Sequence, residues 1–291
     1  MTTSSRTPNT RVPATGRSVT DNASGGSVAI TAPCRLHFGL LSFGHAAERQ
    51  WGGVGVMVDH PAVQLQASRA DRWEVTGPAA DRASRFAEHW SRRRGKNSLP
   101  ACRLRIGSVA APHCGLGTGT QLGLSVATAL NALHDLPQPP PAELAISVGR
   151  GLRSAVGTYG FASGGLIVER GKLSGESIAP LDLQLDLPES WRFVLIRPEM
   201  SVGLSGTAEQ KAFRGLPAIP RATTEALLAE LRSRMLPAAA RGDLAAFGES
   251  VYRYGRMAGN CFATIQGGPY NGPRLTELVQ AIRDLGVHGV G

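Results

Sequence analysis

The 291-residue chain has no apolar run as long as a membrane span, and aromatic residues make up only 5% of it. The first absence argues against a transmembrane helix, and the second removes the stacking platforms on which sequence-directed nucleic-acid binding depends. Its four cysteines, Cys34, Cys102, Cys114 and Cys261, have no paired spacing, so neither a zinc site nor a disulfide framework is expected. There is no Ser/His/Asp ordering with an elbow motif, no zincin helix and no cysteine-histidine pair, and hydrolase chemistry loses its usual supports. Residues 1–27 are rich in Thr, Ser, Arg and Gly and carry no hydrophobic segment that could act as a signal peptide. They are read as a disordered tail on a cytoplasmic protein.

What is present is a hydrophobic fraction of 42%, enough for a real core, and a net charge of +9 carried mostly by arginine. A guanidinium offers a planar fork suited to phosphates and carboxylates, so anionic small molecules are natural partners. The densest basic run, residues 82–96, places Ala83, Phe86, Ala87 and Trp90 at helical spacing, which makes it an amphipathic helix with a solvated basic face.

The chemistry concentrates at His113-Cys114-Gly115-Leu116-Gly117-Thr118-Gly119-Thr120-Gln121, which runs into a helical stretch over 122–134. Three glycines let the backbone approach a ligand, two threonines add hydroxyls, and the free N–H groups and dipole of the following helix favour an anion there. Gly115, Leu116, Gly117, Thr118, Gly119, Thr120 and Gln121 are therefore the candidate phosphate-binding residues. The pattern is neither a Walker A loop, since no Gly-Lys-Ser/Thr follows, nor a full dinucleotide fingerprint. The residues alone leave open a glycine turn that merely caps a buried helix.

Strands are expected over 28–40, 54–67, 103–106 and 191–197, and helices over 143–153, 223–236, 244–257 and 274–285, with a boundary near residue 188. The strand period puts Arg35 and His37 on one face and Leu36 and Phe38 on the other. Arg150 and Arg153, three apart, would share a helix face and could grip an anion together. Asp59 could hold a metal or cap a turn, and the glycines at 157, 160, 164 and 165 imply a backbone packed against a ligand or another strand. The final segment, residues 286–291, reads as a strand entering a glycine turn.

With these pieces in order, the chain resembles the GHMP kinase superfamily and, within it, the β-ribofuranosylaminobenzene 5'-phosphate synthase family of tetrahydromethanopterin biosynthesis. The likeness is carried by Arg35-Leu36-His37-Phe38-Gly39-Leu40, Gly52-Gly53-Val54-Gly55, the 115–121 turn, Gly149-Arg150-Gly151-Leu152-Arg153-Ser154-Ala155-Val156-Gly157, Gly164-Gly165-Leu166-Ile167-Val168-Glu169, Gly203-Leu204-Ser205-Gly206 and Gln266-Gly267-Gly268. It implies an α/β fold of α+β two-layer type. A domain over 28–188 would be like ribosomal protein S5 domain 2, and a ferredoxin-like domain would cover 189–291. Gly289 falls where a third glycine-rich loop of the family begins, so the C-terminal domain is expected to be incomplete.

The resemblance also implies a reaction, in which 4-aminobenzoate or 4-hydroxybenzoate condenses with phosphoribosyl pyrophosphate and loses CO2 and pyrophosphate. On this reading the glycine turn holds the pyrophosphate with Mg²⁺, Arg35, Arg150 and Arg153 bind the ribose phosphate or the benzoate carboxylate, and His37 handles protons. Asp59 and Glu169 are the candidate metal ligands. No organic cofactor, membrane or nucleic acid is expected, and a homodimer is left open. The alternative is an ATP-dependent small-molecule kinase of the superfamily, but such kinases carry an aspartate before the Gly-Gly strand, and residues 157–163 contain no carboxylate.

Overall fold

The computed structural model describes residues 10–11, 16–22, 26–111, 114–196 and 215–291. Two long strands, β3 (Ser27–Ser42) and β4 (Trp51–Arg69), form an antiparallel hairpin at the centre of a seven-stranded sheet. The outer half of β4 pairs with β6 (Cys102–Ser108), which pairs in parallel with β5 (Glu74–Thr76), and its inner half pairs with β7 (Leu166–Glu169), which is followed by β8 (Leu181–Leu185). At the far edge of β3 lies β2 (Ser18–Asn22), while β1 (Thr10–Arg11) pairs separately with β9 (Arg192–Phe193).

Each long strand serves two cores. Val28, Ile30 and Ala32 of β3 and Val63, Leu65 and Ala67 of β4 face α1 (Ala80–Arg92) and α2 (Thr118–Leu133). A bulge between Ala32 and Cys34 interrupts β3 at Pro33, which has no N–H to give the ladder. Beyond it, Cys34, Leu36 and Phe38, with Val54, Val56 and Val58 of β4, face a second core. That core is closed by α5, which runs over Arg221–Glu230, a π turn at Leu231–Met235 and Leu236–Arg241, and by α6 (Leu244–Asn260). Two short helices, α7 (Ala263–Gln266) and α8 (Pro273–Asp284), follow. On the other side, α3 (Pro141–Ser147) and α4 (Val156–Ser163) flank α2.

Several local expectations change. Ser18–Asn22 falls in the stretch read as a disordered tail but pairs with β3; its polar residues carry no hydrophobic period, and the order comes from the neighbouring strand edge. The helix expected over 143–153 stops at Ser147, because Gly149 (φ 66°) and Gly151 (φ 82°) take the chain into left-handed conformations. Arg150 and Arg153 therefore do not share a helix face. The buried strand expected over 191–197 shrinks to two residues beside exposed Val194 and Ile196. No strand forms over 287–290, where Gly289 instead lies against Gly248 of α6. Helix α2 is buried on nearly every side. The 203–206 motif lies outside the described residues.

Candidate functional site

The glycine turn reaches α2 through left-handed backbone at Gly115 (φ 80°) and Gly117 (φ 65°), the latter being the N-cap. No side chain among the described residues caps the helix, so its first turn presents backbone N–H groups and the positive end of the dipole. Arg35 on β3 holds the turn twice: its N–H donates to Leu116 O (3.1 Å) and its Nη1 to Gly115 O (3.2 Å). A Cβ at Gly117 would lie 2.6 Å from Arg35 Cγ, so the glycine is required both for its φ and for the close passage of this side chain.

Arginines from two other elements reach the same turn. Arg150, in the loop after α3, donates from Nε and Nη2 to Thr120 Oγ1, both at 3.2 Å. Arg82 of α1 lays its guanidinium over Gly119, where an added Cβ would overlap Nη2. The guanidinium also lies 6.0 Å from the Phe86 ring centroid, and no carboxylate among the described residues pairs with it. Burial, with Arg85 one turn on, lowers its pKa. Arg82 was missed in the sequence because it begins a run of basic residues on a face expected to be solvated; nothing local distinguishes it from Arg85. Arg153 lies three residues beyond Arg150 in the same loop.

Gln121, expected to touch the ligand, turns inward. It is fully buried, its Nε2 donates to Gly157 O at 2.8 Å, and it ties the start of α4 to the first turn of α2. Gly157 allows this approach, since a Cβ there would sit 3.2 Å from Gln121 Nε2.

His37 does share a face with Arg35, opposite Leu36 and Phe38, as the strand period requires. Its ring lies against Gly53, where a Cβ would come within 2.8 Å of Cε1. Both nitrogens are engaged: Nδ1 accepts from Gly39 N–H (3.2 Å), which leaves the proton on Nε2 to donate to Ser154 Oγ (3.1 Å). Burial and the Arg35 charge push its pKa down to about 3, so it is neutral at physiological pH. A freely protonating His37, as expected from sequence, is not what this environment provides.

Behind Ser154 sits Glu169 of β7, fully buried, with Oε1 accepting from Ala155 N–H at 2.8 Å and Oε2 without a hydrogen-bond partner among the described residues. Burial pushes its pKa up to about 7 against the opposing pull of Ser154, Ala155, Arg35 and Gly171. Asp59 lies six residues along β4 from Gly53, the register partner of Glu169. At strand rise that is about 20 Å, so the two acids cannot share a metal ion. Asp59 instead lies 3.5 Å from His60 Nδ1. No group of three His, Cys, Asp or Glu side chains among the described residues could hold a metal, and what rings the turn is arginine and threonine. Taken over the described residues, that donor set suits an anion and does not fit a protein-held Mg²⁺. Two surface hollows, of about 560 and 460 Å³, include no residue of the turn.

Comparison with known proteins places this geometry in context. No family model matches the chain. A β-ribofuranosylphenol 5'-phosphate synthase from Methanothermobacter thermautotrophicus is 31% identical over 283 residues, covering 90% of this chain and 84% of the relative. One of the same name from Archaeoglobus fulgidus is 27% identical, covering 90% and 89%. Among solved structures, a Streptococcus pneumoniae phosphomevalonate kinase superposes with a TM-score of 0.61 over 89% of this chain and 85% of its own at 14% identity. A homoserine kinase from Cytophaga hutchinsonii superposes with 0.56 over 94% and 83% at 15% identity. The fold is that of the GHMP kinases. Among the described residues, no helix is long and apolar enough to cross a membrane.

Proposed function

Since the chain belongs to the β-ribofuranosylphenol 5'-phosphate synthase family, we propose that it joins 4-hydroxybenzoate to phosphoribosyl pyrophosphate, releasing CO2 and pyrophosphate. It is a transferase acting on a ribosyl phosphate, and the phenol in the relatives' name favours the hydroxybenzoate over 4-aminobenzoate. The ring carbon that bears the carboxylate attacks C1' of the ribose as the C1'–O bond to pyrophosphate breaks. The carbon–carboxylate bond then breaks, and its electron pair restores the aromatic ring as CO2 leaves. No ring proton is lost at that carbon. The hydroxyl proton is released as the ring loses aromaticity and regained afterwards.

The charge that most needs stabilising therefore lies on the leaving diphosphate. The observation that carries the reading is the uncapped first turn of α2, with Arg35 and Arg150 bound to it and no carboxylate in α4. Fixed N–H dipoles and guanidinium groups there meet negative charge as it develops, without having to reorganise. Gly115, Leu116, Gly117, Thr118, Gly119 and Thr120 form the cradle, and Gln121 holds its shape. Arg153 takes the ribose phosphate or the benzoate carboxylate. His37, neutral and bonded at both nitrogens, keeps Ser154 and the 154–157 segment in place, a positioning role in place of proton transfer. Mg²⁺ enters, on this proposal, already bound to the diphosphate, and no step here is assigned to it.

The test is incubation of the protein with phosphoribosyl pyrophosphate, Mg²⁺ and each benzoate in turn, with ATP in parallel. Equal amounts of CO2 and pyrophosphate with 4-hydroxybenzoate are expected. Release of neither, or consumption of ATP instead, defeats the proposal.

A further inference from the structure

Arg150, which reaches Thr120 of the glycine turn, is followed by four residues and then by Ala155, where α4 begins. The entry of this loop is fixed by the end of α3, through Gly149 N–H to Ile146 O (3.1 Å) and Arg150 N–H to Ala145 O (2.8 Å). Glycines at 149 and 151, both left-handed, then turn the chain, and a loop hinged on glycine takes many paths unless its far end is also held. The far end is held by β7. Glu169 Oε1 accepts from Ala155 N–H at 2.8 Å, and the neighbouring Ser154 Oγ accepts from His37 Nε2 (3.1 Å) and Val156 N–H (3.3 Å).

Glu169 is well placed to act as that anchor. It closes β7, with Gly53 of β4 as its partner on one side and Leu181 of β8 on the other, so its backbone is fixed in the sheet. A carboxyl is a costly way to fill a fully buried position, which an apolar side chain would fill more cheaply. What the carboxyl adds is an acceptor aimed at one N–H, at the exit of the loop that carries Arg150. The same segment runs on to Gly157, whose carbonyl takes Gln121 Nε2 of α2 at 2.8 Å. The anchor is thus joined to the glycine turn twice, through Arg150 on Thr120 and through Gln121 on Gly157.

We propose that Glu169 is a positioning residue for the diphosphate site: by holding Ala155 it fixes the exit of the 149–155 loop, and with it the approach of Arg150 to Thr120 and to the bound anion. The inference deepens the function proposed above and rests on it for the identity of the natural ligand. It gives Glu169 an indirect role in place of metal ligation, since its carboxyl touches the loop backbone while Arg150 meets the ligand.

Calorimetric titration of inorganic pyrophosphate into wild type, Glu169→Leu, Arg150→Gln and the double variant tests this as a cycle. Glu169→Leu keeps the apolar bulk and removes the acceptor, and it should bind pyrophosphate about five- to tenfold more weakly than wild type. Glu169→Gln, whose amide oxygen accepts the same N–H, should stay within about twofold. The single effects should not add: once Arg150 is glutamine, Glu169→Leu should weaken binding by less than about twofold further, because the contact it positions is gone. A merely structural role predicts additive losses. In turnover, Glu169→Leu should raise KM for phosphoribosyl pyrophosphate more than it lowers kcat. If Glu169→Leu does not fold, Glu169→Asp, one methylene short of Ala155, takes its place in the cycle. Wild-type affinity in the folded variant, additive losses in the double variant, an equal loss in Glu169→Gln, or a wild type that does not bind pyrophosphate each overturn the proposal. The two readings fail separately. Coupled loss of pyrophosphate affinity in a protein without turnover sinks the synthase reading alone, and normal turnover with additive losses sinks this one alone.

Discussion

Replacing Glu169 with glutamine should stabilise the protein at pH 8 and leave it nearly unchanged at pH 4.5. The side chain is fully buried, Oε1 takes the Ala155 N–H, and Oε2 has no hydrogen-bond partner among the described residues. Its carboxyl ionises at about 7 in the fold, chiefly because burial disfavours the charge, against the ordinary 4.5 of an exposed chain. Between these values the unfolded chain has lost the proton that the fold still holds, so the folded state binds more protons and its stability falls as pH rises. The stability tied to the neutral acid is complete below 4.5 and gone above 7, a difference of roughly 3 kcal/mol at 1.36 kcal/mol per pH unit. Glutamine keeps the acceptor for Ala155 and never ionises. Urea denaturation of wild type and Glu169→Gln at intervals from pH 4.5 to 8.5 isolates this group, because titrations elsewhere, His37 included, cancel in the difference between the two curves. The variant should gain roughly 3 kcal/mol relative to wild type across that range. A flat difference, or a variant that loses ground as pH rises, refutes the placement of Glu169 as an acid whose burial holds its pKa well above the ordinary carboxylate value.

Three further outcomes follow from the turn. Gly117→Ala must hold a left-handed φ of 65° and press its methyl group on Arg35, so it should lose about 1–2 kcal/mol of stability in a thermal or urea melt and, by moving Arg35 off Gly115, lose turnover as well. Gln121→Ala leaves the Gly157 carbonyl without its buried partner and should cost about 2 kcal/mol of stability by urea denaturation; an unchanged midpoint would contradict its role as a tie between α2 and α4. Arg150→Gln should raise KM for phosphoribosyl pyrophosphate or abolish turnover, and wild-type kinetics in that variant would remove Arg150 from the site.

Much of the architecture was legible because backbone periodicity is local. Alternation along β3 put Arg35 and His37 on one face, the spacing of Ala83, Phe86, Ala87 and Trp90 located α1, and three glycines before an apolar helix marked the glycine turn at the start of α2. The excess of arginine and the missing acid at 157–163 also pointed toward an anionic ligand. The failures share a cause. Whether Arg150 sits on a helix depended on left-handed glycines at 149 and 151, which in sequence are equally compatible with a helix end a few residues later. Ser18–Asn22 is a strand only because β3 offers it an edge.

The sequence by itself determined which residues could bind an anion and on which strand or helix most of them lie, since side-chain chemistry and the periods of 2 and 3.6 need no knowledge of distant contacts. Only the tertiary structure decided which of them meet. The packing of α1 against α2 brings Arg82 rather than Arg85 to Gly119, the bulged register of β3 on β4 seats the His37 ring over Gly53, and the pairing of β7 with β4 buries Glu169 about 20 Å from Asp59. These meetings join residues tens of positions apart, and their geometry is set by sheet register and helix packing that no local pattern encodes.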